Sequence, residues 1–557
     1  MAYPSFEQYN QAFQLHSRLL ADAELKAGTV TTTGLGLPLA ISGGFALTYT
    51  IKAGTRKYAV RCFHRESKAL ERRYAAISKR LAGLRSAYFL DFQFQPNGIQ
   101  VDGAGYPIVK MAWANGETLG EFLETNRGDT TALGKLSDAL TSLAAFLEKE
   151  RIAHGDIQPG NLMISNGGAA IQLIDYDGMY VDEIKDIGST ELGQVNFQHP
   201  QRKSTNPFGP GLDRFSLIAL SVALKALRVD PSLWRKTKSE SDAILFRAND
   251  FLDPGSSQAF ALLAANSALA VDAKNFASVC KAPMDKAPSL ADFFAGRQIP
   301  AGAIALSGTV APSAQRSGYI SAYEVLSAVD YAACLRHVGD KVEVIGCIVD
   351  VKENRARNGK PYVFINFGDW RGRIFKVAIW SEGLAALKAA PDSSWIGKWL
   401  SVVGLMEPPY VNPKFKYSHL SINVTATGQM TVIPETDAQW RLAGPGQGTP
   451  AFSTSSNQDA LDKIKGRPLS STARPAPPVS ATLSASSANR AAIDKIRSAT
   501  RPAPAPSPPT VTHVRRSANP APPPQPTSSG RHAGSSPVPQ PPREKGVVEK
   551  LFNWLFG

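Results

Sequence analysis

The stretch His154-Gly155-Asp156-Ile157-Gln158-Pro159-Gly160-Asn161, followed by Leu173-Ile174-Asp175-Tyr176-Asp177-Gly178, decides the fold of the amino-terminal half of this 557-residue chain. A helical pattern over 133–150 precedes it, and the apolar runs 162–164 and 171–174 predict a strand pair between the two motifs. Phosphoryl transfer needs a carboxylate that orients the attacking hydroxyl and oxygen ligands for Mg²⁺. An ordinary polar turn is the alternative, but two motifs in this order favour a site.

In these motifs the sequence resembles the protein kinase superfamily, and more closely its atypical bacterial members, over about 250 residues. The resemblance implies a two-lobed fold that uses ATP and Mg²⁺. It implies that Asp156 orients or accepts the proton of the substrate hydroxyl, and that Asn161 and Asp175 bind magnesium.

The resemblance also implies an ATP site on the amino-terminal side of these motifs. The strand 107–111 would lead into a hinge at 112–114 that holds adenine through its backbone, and the turn within 41–49 would cover the phosphates. The residues implied in nucleotide binding are Gly43, Gly44, Arg61, Glu71, Met111 and Trp113.

Downstream, 196–200 stands where kinases end their activation segment, and Asp213 begins a pattern similar to the long buried helix whose aspartate braces the catalytic loop. The chain departs from the family at two positions. Arg61 replaces the phosphate-contacting lysine of its strand, and a planar guanidinium is no simple substitute for a compact ammonium. Gly155 stands where many kinases carry arginine to read a phosphorylated segment.

The substitution at Arg61 leaves two functions open. Arg61 could pair with Glu71 and reach a phosphate, or Lys52 on the preceding strand could supply the charge; alternatively the domain is a pseudokinase. A kinase of small molecules is a further alternative, since antibiotic and sugar kinases share the Asp-Asn-Asp set.

A second domain is predicted at 317–430, after a kinase-like domain at 1–297 and a linker at 298–316. Five strand-like segments, with a helix between the third and fourth, resemble a small OB-fold-like β-barrel: 341–352, 360–368, 373–380, 398–407 and 417–426. Such barrels bind single-stranded nucleic acid with basic and aromatic side chains, and the candidates here are Arg355, Arg357, Lys360, Tyr362, Trp370 and Arg373. A protein-docking barrel is the alternative, because half of its aromatics must fill the core.

The remainder, 431–545, is predicted to be a disordered tail, because 17 prolines between 471 and 545 stand among Ser, Ala and Gln. Two similar segments within it, 457–465 and 489–497, could dock twice on one partner or be an idle duplication. The last twelve residues, 546–557, form a short amphipathic pattern.

Composition adds limits on location. The net charge of +14 lies mainly in the carboxy-terminal half, and the four cysteines lack the spacing of metal ligands. The start of the sequence lacks a secretory pattern, and no apolar run is long enough to span a membrane, so a cytoplasmic protein is expected.

The sequence therefore predicts an α+β fold: a two-lobed kinase-like domain, a small OB-like β-barrel and a Pro-rich tail. The expected function is an ATP- and Mg²⁺-dependent kinase of Ser or Thr in protein substrates; the main alternative is a pseudokinase adaptor that binds nucleotide and recruits partners or single-stranded nucleic acid.

Overall fold

The structure is a computed structural model. It describes residues 3–32, 36–42, 46–64, 69–189, 191–302, 304, 306, 318–356, 359–387, 389–412, 416–426 and 428–444, all of which belong to one compact unit. Several predicted features fall outside the described residues: Gly43, Gly44, Arg357, most of the linker, both tail repeats and the segment 546–557.

The amino-terminal part, the sheet lobe, has an antiparallel sheet covered on both faces. Its strands are β1 (Thr29–Val30), β2 (Ala40–Ser42), β3 (Ala46–Ala53), β4 (Arg56–Phe63), β5 (Phe92–Val101) and β6 (Ala104–Ala112), in the order β1-β3-β4-β6-β5 with β2 on β3. Its helices are α1 (Phe6–Gln14), α2 (His16–Leu19), α3 (Ala23–Ala27) and α4 (Leu70–Leu84). On one face Phe13 of α1 stacks on Tyr49, with 3.8 Å between ring centroids. On the other face Phe63 and Val109 join the core that α4 covers.

The next part, the helical lobe, is packed around two long helices. Its helices are α5 (Leu119–Asn126), α6 (Thr130–Glu150), α7 (Arg202–Thr205), α8 (Arg214–Val229), α9 (Leu233–Lys236), α10 (Ala248–Leu252), α11 (Gln258–Ala264), α12 (Ala270–Lys281) and α13 (Leu290–Phe294). A small sheet joins β7 (Glu117–Thr118), β8 (Leu162–Ser165) and β9 (Ala170–Leu173). Twelve of the sixteen residues of α8 are buried, because its sequence is apolar on all sides.

The third part, the β region (318–444), holds two sheets around a second core. Its strands are β10 (Glu324–Ser327), β11 (Lys341–Cys347), β12 (Asp350–Arg355), β13 (Pro361–Asn366), β14 (Arg373–Ile379), β15 (Trp399–Leu405), β16 (Tyr410–Asn412), β17 (Tyr417–Asn423) and β18 (Met430–Ile433). Its helices are α14 (Tyr331–Arg336), α15 (Ser381–Ala386) and α16 (Glu435–Leu442). One sheet has the order β10-β11-β15-β18 and the other β12-β13-β14-β17-β16, with β14 parallel to β17.

The β-barrel expectation needs correction, because the described strands form two open sheets and no closed barrel. The predicted first strand, 341–352, breaks at Ile348 and Val349 into β11 and β12, which belong to different sheets. Between β15 and β17, where closure would require a ladder, the N–H of Glu407 donates to the carbonyl of Ser421 just beyond the end of β15. The fold class is therefore mixed α/β with several sheets. Within the described ranges, no helix has the length and apolarity needed to cross a bilayer.

Candidate functional site

The loop 154–161 is fixed to the helical lobe through Asp213. The carboxylate of Asp213 accepts hydrogen bonds from the backbone N–H of His154 at 2.5 Å and of Gly155 at 2.8 Å. The imidazole Nε2 of His154 lies 2.8 Å from the carbonyl oxygen of Ile174, next to Asp175. The prediction that Asp213 braces this loop is confirmed, and the loop is linked to the second motif.

Gly155 shows why arginine is absent from this position. Its φ is +81°, a conformation that L side chains rarely adopt, and a Cβ atom there would lie 2.2 Å from the carbonyl oxygen of Gly178. The two motifs therefore pack backbone against backbone at this point, and only glycine fits.

Asp156 and Asn161 lie in contact. The amide Nδ2 of Asn161 donates to both the carbonyl oxygen and Oδ2 of Asp156, each at 2.9 Å. The Asp156 carboxylate also accepts from Gln158 Nε2 at 2.6 Å and from the backbone N–H of Gln194 at 2.7 Å. Burial raises the pKa of Asp156, although the Gln194 N–H favours the ionised form. A raised pKa makes this carboxylate a better proton acceptor.

Asp175 lies at the end of β9 in a left-handed conformation, with φ of 64°. One of its oxygens is bound by Arg61, whose Nη1 lies 2.6 Å from Oδ1. The other guanidinium nitrogen, Nη2, lies 2.7 Å from Oδ2 of Asp177, and the hydroxyl of Tyr74 donates to the same carboxylate. Arg61 is only 5% exposed, while the side chain of Asp175 is 40% exposed. The guanidinium is thus committed to two carboxylates, and Asp175 remains open on one side.

The two carboxyl groups bound by Arg61 differ in their pKa. Burial alone would raise the pKa of Asp175, but the charge and hydrogen bond of Arg61 outweigh it and lower that pKa below its usual value. For Asp177 burial prevails, and its pKa is raised despite the same arginine. Of the two carboxyl groups, Asp175 therefore holds its negative charge more readily, and because it is also the more exposed it is the better ligand for a cation.

The expected partners of Arg61 are not the observed ones. Glu71 is exposed on α4, while Tyr74 on the same helix turns inward to Asp177. Lys52 is also exposed, and its register partner on β4 is Lys57. The residue of β3 that lies opposite Arg61 is Thr48, four positions before Lys52. Four residues of strand span about 13 Å, so Lys52 stands away from the site. Asp177 and Tyr74 were missed, although a carboxylate two residues after Asp175 was a visible signal.

Met111 and Trp113 lie at the end of β6, as the hinge interpretation requires. Met111 is largely buried and shares a sheet face with Arg61, because Val109 is the strand partner of Arg61. The backbone N–H of Trp113, however, already donates to the carbonyl of Lys57 at 2.9 Å, and the Lys57 ammonium lies 3.4 Å from the Trp113 ring centroid. An adenine ring would have to use other backbone groups of the predicted hinge.

The segment 191–207 is held over the loop by its own arginine. Arg202 is buried and donates to the carbonyl oxygens of Glu191 at 3.1 Å and Pro207 at 2.5 Å. Burial lowers the pKa of Arg202 to about 10. Farther along, Gln194 Nε2 and Asn196 Nδ2 donate to the carbonyl oxygen of Asp242 at 3.0 and 3.2 Å. These bonds fix the N–H that binds Asp156.

The described donor set fits a magnesium ion bound together with phosphates. Asp175 offers a half-exposed, ionised carboxylate, and Asn161 offers a side-chain amide oxygen in the adjacent loop. The two residues are connected through Ile174, whose backbone N–H donates to the backbone carbonyl of Asn161 at 3.1 Å. Among the described residues no three His, Cys, Asp or Glu side chains form a cluster that could hold a metal alone. Magnesium usually takes one or two carboxylates plus substrate phosphates, so such a cluster is not required.

The candidate nucleic-acid residues of the β region fall into two places. Tyr362 stands beside Phe364 and Trp380, with ring centroids 4.7 and 5.4 Å away. These three define the outer aromatic cluster, since Val363 and Ile365 on the opposite face enter the core. Lys376 lies 3.8 Å from the Phe364 ring centroid, and burial lowers its pKa to about 8.

The other candidates lie outside this cluster. Trp370 is 41% exposed and packs against Tyr417 instead, with centroids 6.0 Å apart. Arg355 donates to the carbonyl of Gly359 at 2.9 Å. Lys360 pairs with Glu382 at 3.0 Å, and Arg373 is exposed at the start of β14.

No family model matches this chain, and no curated protein matches it. Among solved structures, the kinase PK-1 of Cydia pomonella granulovirus is a weak neighbour, with 14% sequence identity and a TM-score of 0.28 over 36% of this chain and 69% of that chain. A likeness of this size carries no argument about the fold or the function of this chain. The function of this chain has to be inferred from the geometry of its site.

Proposed function

We propose that this chain is an ATP- and Mg²⁺-dependent protein kinase that phosphorylates serine or threonine. The supporting observation is the assembly of Asp156, Asn161 and Asp175 in one place, with Asn161 bonded to Asp156 at 2.9 Å and connected through Ile174 to Asp175. In this role Asp156 accepts the proton of the hydroxyl, helped by its raised pKa. Magnesium held by Asn161 and Asp175 would neutralise charge on the phosphates.

The test uses the purified full chain with Mg²⁺, labelled ATP and a generic Ser/Thr-containing protein. We expect phosphate transfer that Asp156→Ala lowers by roughly 100-fold or more, a size typical of losing a general base. Asp186→Ala is the matched control, because Asp186 is an exposed carboxylate on the neighbouring segment that pairs with Arg72. Transfer that is absent, or that Asp156→Ala leaves unchanged, would contradict the proposal.

A second candidate is a catalytically silent nucleotide-binding adaptor. It is supported by the commitment of Arg61 to two carboxylates and by the hydrogen bonds that occupy Asp156. ATP binding by calorimetry without any transfer to protein would favour it, and robust turnover would eliminate it.

A third candidate concerns the β region, which we propose as a surface for single-stranded nucleic acid. The outer aromatic cluster with Lys376 offers rings for stacking, whereas the nearby carboxyl of Glu407, whose pKa burial raises to about 7, opposes a polyanion when ionised. Trp380→Ala should weaken binding of a labelled oligonucleotide roughly 10-fold, the value of one stacked base. Ile396→Ala, at an exposed apolar site, is the control; equal effects of both variants would argue against the surface.

A further inference from the structure

In the proposed ATP site, the position of the usual lysine holds a cation that is already bound to two carboxylates. Arg61 occupies the position of the usual lysine, but both of its terminal nitrogens are bonded, to Asp175 and Asp177, and the side chain is buried. Moving it toward a phosphate would leave Asp177 without its charge partner inside the protein, which is costly. A cation for the phosphates is more readily supplied from elsewhere.

Strand β11 of the β region points one face toward the kinase-like part. Val342 and Val344 are fully buried in the core of the β region. Because side chains alternate along a strand, Lys341 and Glu343 share the opposite face, about 7 Å apart. Glu343 on that face is bonded to Arg441 at 3.0 Å, and Arg441 also pairs with Glu240 of the helical lobe.

The contact between the two parts is fixed by several polar interactions. Besides Arg441, Lys238 pairs with Asp437 of α16 at 2.9 Å, and the Asn249 side chain donates to the carbonyl of Gly318 at 2.6 Å. The helical-lobe stretch 238–249 that makes these contacts includes Asp242, whose carbonyl holds Gln194 and Asn196 over Asp156. The face of β11 is therefore anchored next to the candidate site.

Lys341 is the first residue of β11, on the strand face that Glu343 shares and that turns toward the helical lobe. Lys341 is exposed to solvent, and its Nζ lies 4.8 Å from the ring centroid of Tyr323. Tyr323 raises the pKa of Lys341 most, and the carboxylates of Asp175 and Asp156 raise it further.

We propose that Lys341 of the β region contacts the phosphates of the bound nucleotide, so that the ATP site is completed by a second part of the chain. This inference rests on the proposed kinase function. The β region thereby acts as a structural component of the site in addition to any ligand it binds on its outer face. Lysine suits this role because it presents a compact ammonium on a flexible stem.

The test measures the affinity of the full chain for Mg·ATP and for adenosine by calorimetry, in the wild type, Lys341→Met and Lys341→Arg. We expect Lys341→Met to weaken Mg·ATP binding roughly 10- to 100-fold, the value of a charge-assisted contact, and to leave adenosine binding unchanged. Lys341→Arg should restore part of the loss. Lys398→Met, at an exposed lysine of the same region, should behave as wild type.

The outcomes separate this inference from the function on which it rests. If the wild type binds Mg·ATP and transfers phosphate while Lys341→Met binds it like Lys398→Met, the inference is wrong and the kinase function stands. Tighter binding of Mg·ATP or faster transfer by Lys341→Met would show that Lys341 inhibits the site, and this would also contradict the inference. If the wild type binds no Mg·ATP, both proposals fail.

Discussion

Two buried arginines of this chain are each held between two carboxylates, and their surroundings differ. Arg61 joins Asp175 and Asp177 in the candidate site, and Arg441 joins Glu240 and Glu343 between the helical lobe and the β region. The side chain of Asp175 is 40% exposed, whereas those of Glu240 and Glu343 are 14% and 2% exposed.

The hydrogen bonds around the second arginine explain this contrast. Glu343 also accepts from the hydroxyls of Tyr319, Ser321 and Ser401, at 3.0, 2.9 and 2.8 Å, so its carboxylate is enclosed by donors. A buried network of ion pairs and hydrogen bonds such as this one holds two parts of a fold in one arrangement. The cluster at Arg61 keeps an ionised oxygen ligand facing solvent, as a binding site requires. The same ion-pair motif thus attaches two parts of the chain in one place, and in the other it leaves a carboxylate accessible for the ligand proposed above.

The largest effect is expected when the enclosed cluster loses its cation. Arg441→Met leaves the buried carboxylate of Glu343 without the arginine that pairs with it, while Glu240 keeps Arg247, and this should lower the free energy of unfolding by about 3–5 kcal/mol. Urea unfolding monitored by fluorescence measures this. Arg371→Met is the control, because its side chain is 70% exposed and its ion pair with Asp369 is worth little. Equal losses of stability for Arg441→Met and Arg371→Met would show that the enclosed cluster contributes no more than an exposed ion pair.

The open cluster is tested by Arg61→Lys. One ammonium cannot reproduce the two-pronged contact with Asp175 and Asp177, so one charged hydrogen bond is lost and stability should fall by about 2 kcal/mol. Because Asp175 already faces solvent, added Mg²⁺ should recover part of this loss by neutralising the freed carboxylate. Unfolding midpoints with and without Mg²⁺ measure both effects; a variant as stable as the wild type would contradict the double contact.

A pH dependence is expected near the enclosed cluster. Burial, then Glu240 and Glu343 against Arg247 and Arg441, raises the pKa of Asp242 from 3.8 to about 6. Between these values the folded protein holds a proton that the unfolded chain has released, so this group makes stability fall as pH rises from about 4 to 6.

The substitution that isolates this effect is Asp242→Asn, which removes the ionisation and keeps the shape. Above pH 7 the free energy of unfolding of this variant should exceed that of the wild type by on the order of 2 kcal/mol, and the difference should vanish near pH 4. Asp253→Asn, at an exposed aspartate, provides the comparison. A difference between Asp242→Asn and the wild type that is independent of pH would show that the carboxyl is not the cause.

The smallest effect is expected at the edge of the contact between the helical lobe and the β region. Lys238 is half exposed where it pairs with Asp437, so Lys238→Met should cost less than about 1 kcal/mol. The loss should shrink in 1 M salt, where exposed charges are screened. A loss of stability as large as that of Arg441→Met would mean that the exposed pair at the edge contributes as much to the contact as the buried cluster.

The sequence predicted the local features of the site and missed its long-range pairing. The loop around Asp156, the brace at Asp213 and the strand bearing Arg61 each depend on short patterns, and each appears as expected. The partners of Arg61 could not be predicted, because Asp175 and Asp177 lie more than a hundred residues away in sequence. A strand pattern indicates a buried arginine position but does not identify the carboxylate opposite it.

The β region shows a similar division. The strand segments were predictable from their alternating pattern. The expectation that half of the aromatic candidates fill the core is met only by Phe375, while Tyr362 and Phe364 face outward. The break of the first segment at Ile348 and Val349 carried no signal in composition, since both residues are apolar and β-branched. The contact of Arg441 with Glu240 spans 201 positions and left no local trace.

The hydrogen bond from the Gln194 N–H to Asp156 has a consequence for the time course of the proposed reaction. A substrate hydroxyl must reach a carboxylate oxygen that this N–H now occupies, and the bond is secured by the side chain of Gln194 itself on Asp242. If the hydroxyl can reach that oxygen only after the segment is released, the release is a first-order event whose rate depends on neither ATP nor substrate concentration. Loop movements of this kind take microseconds to milliseconds, and when slower than phosphate transfer they set the ceiling on turnover at saturation.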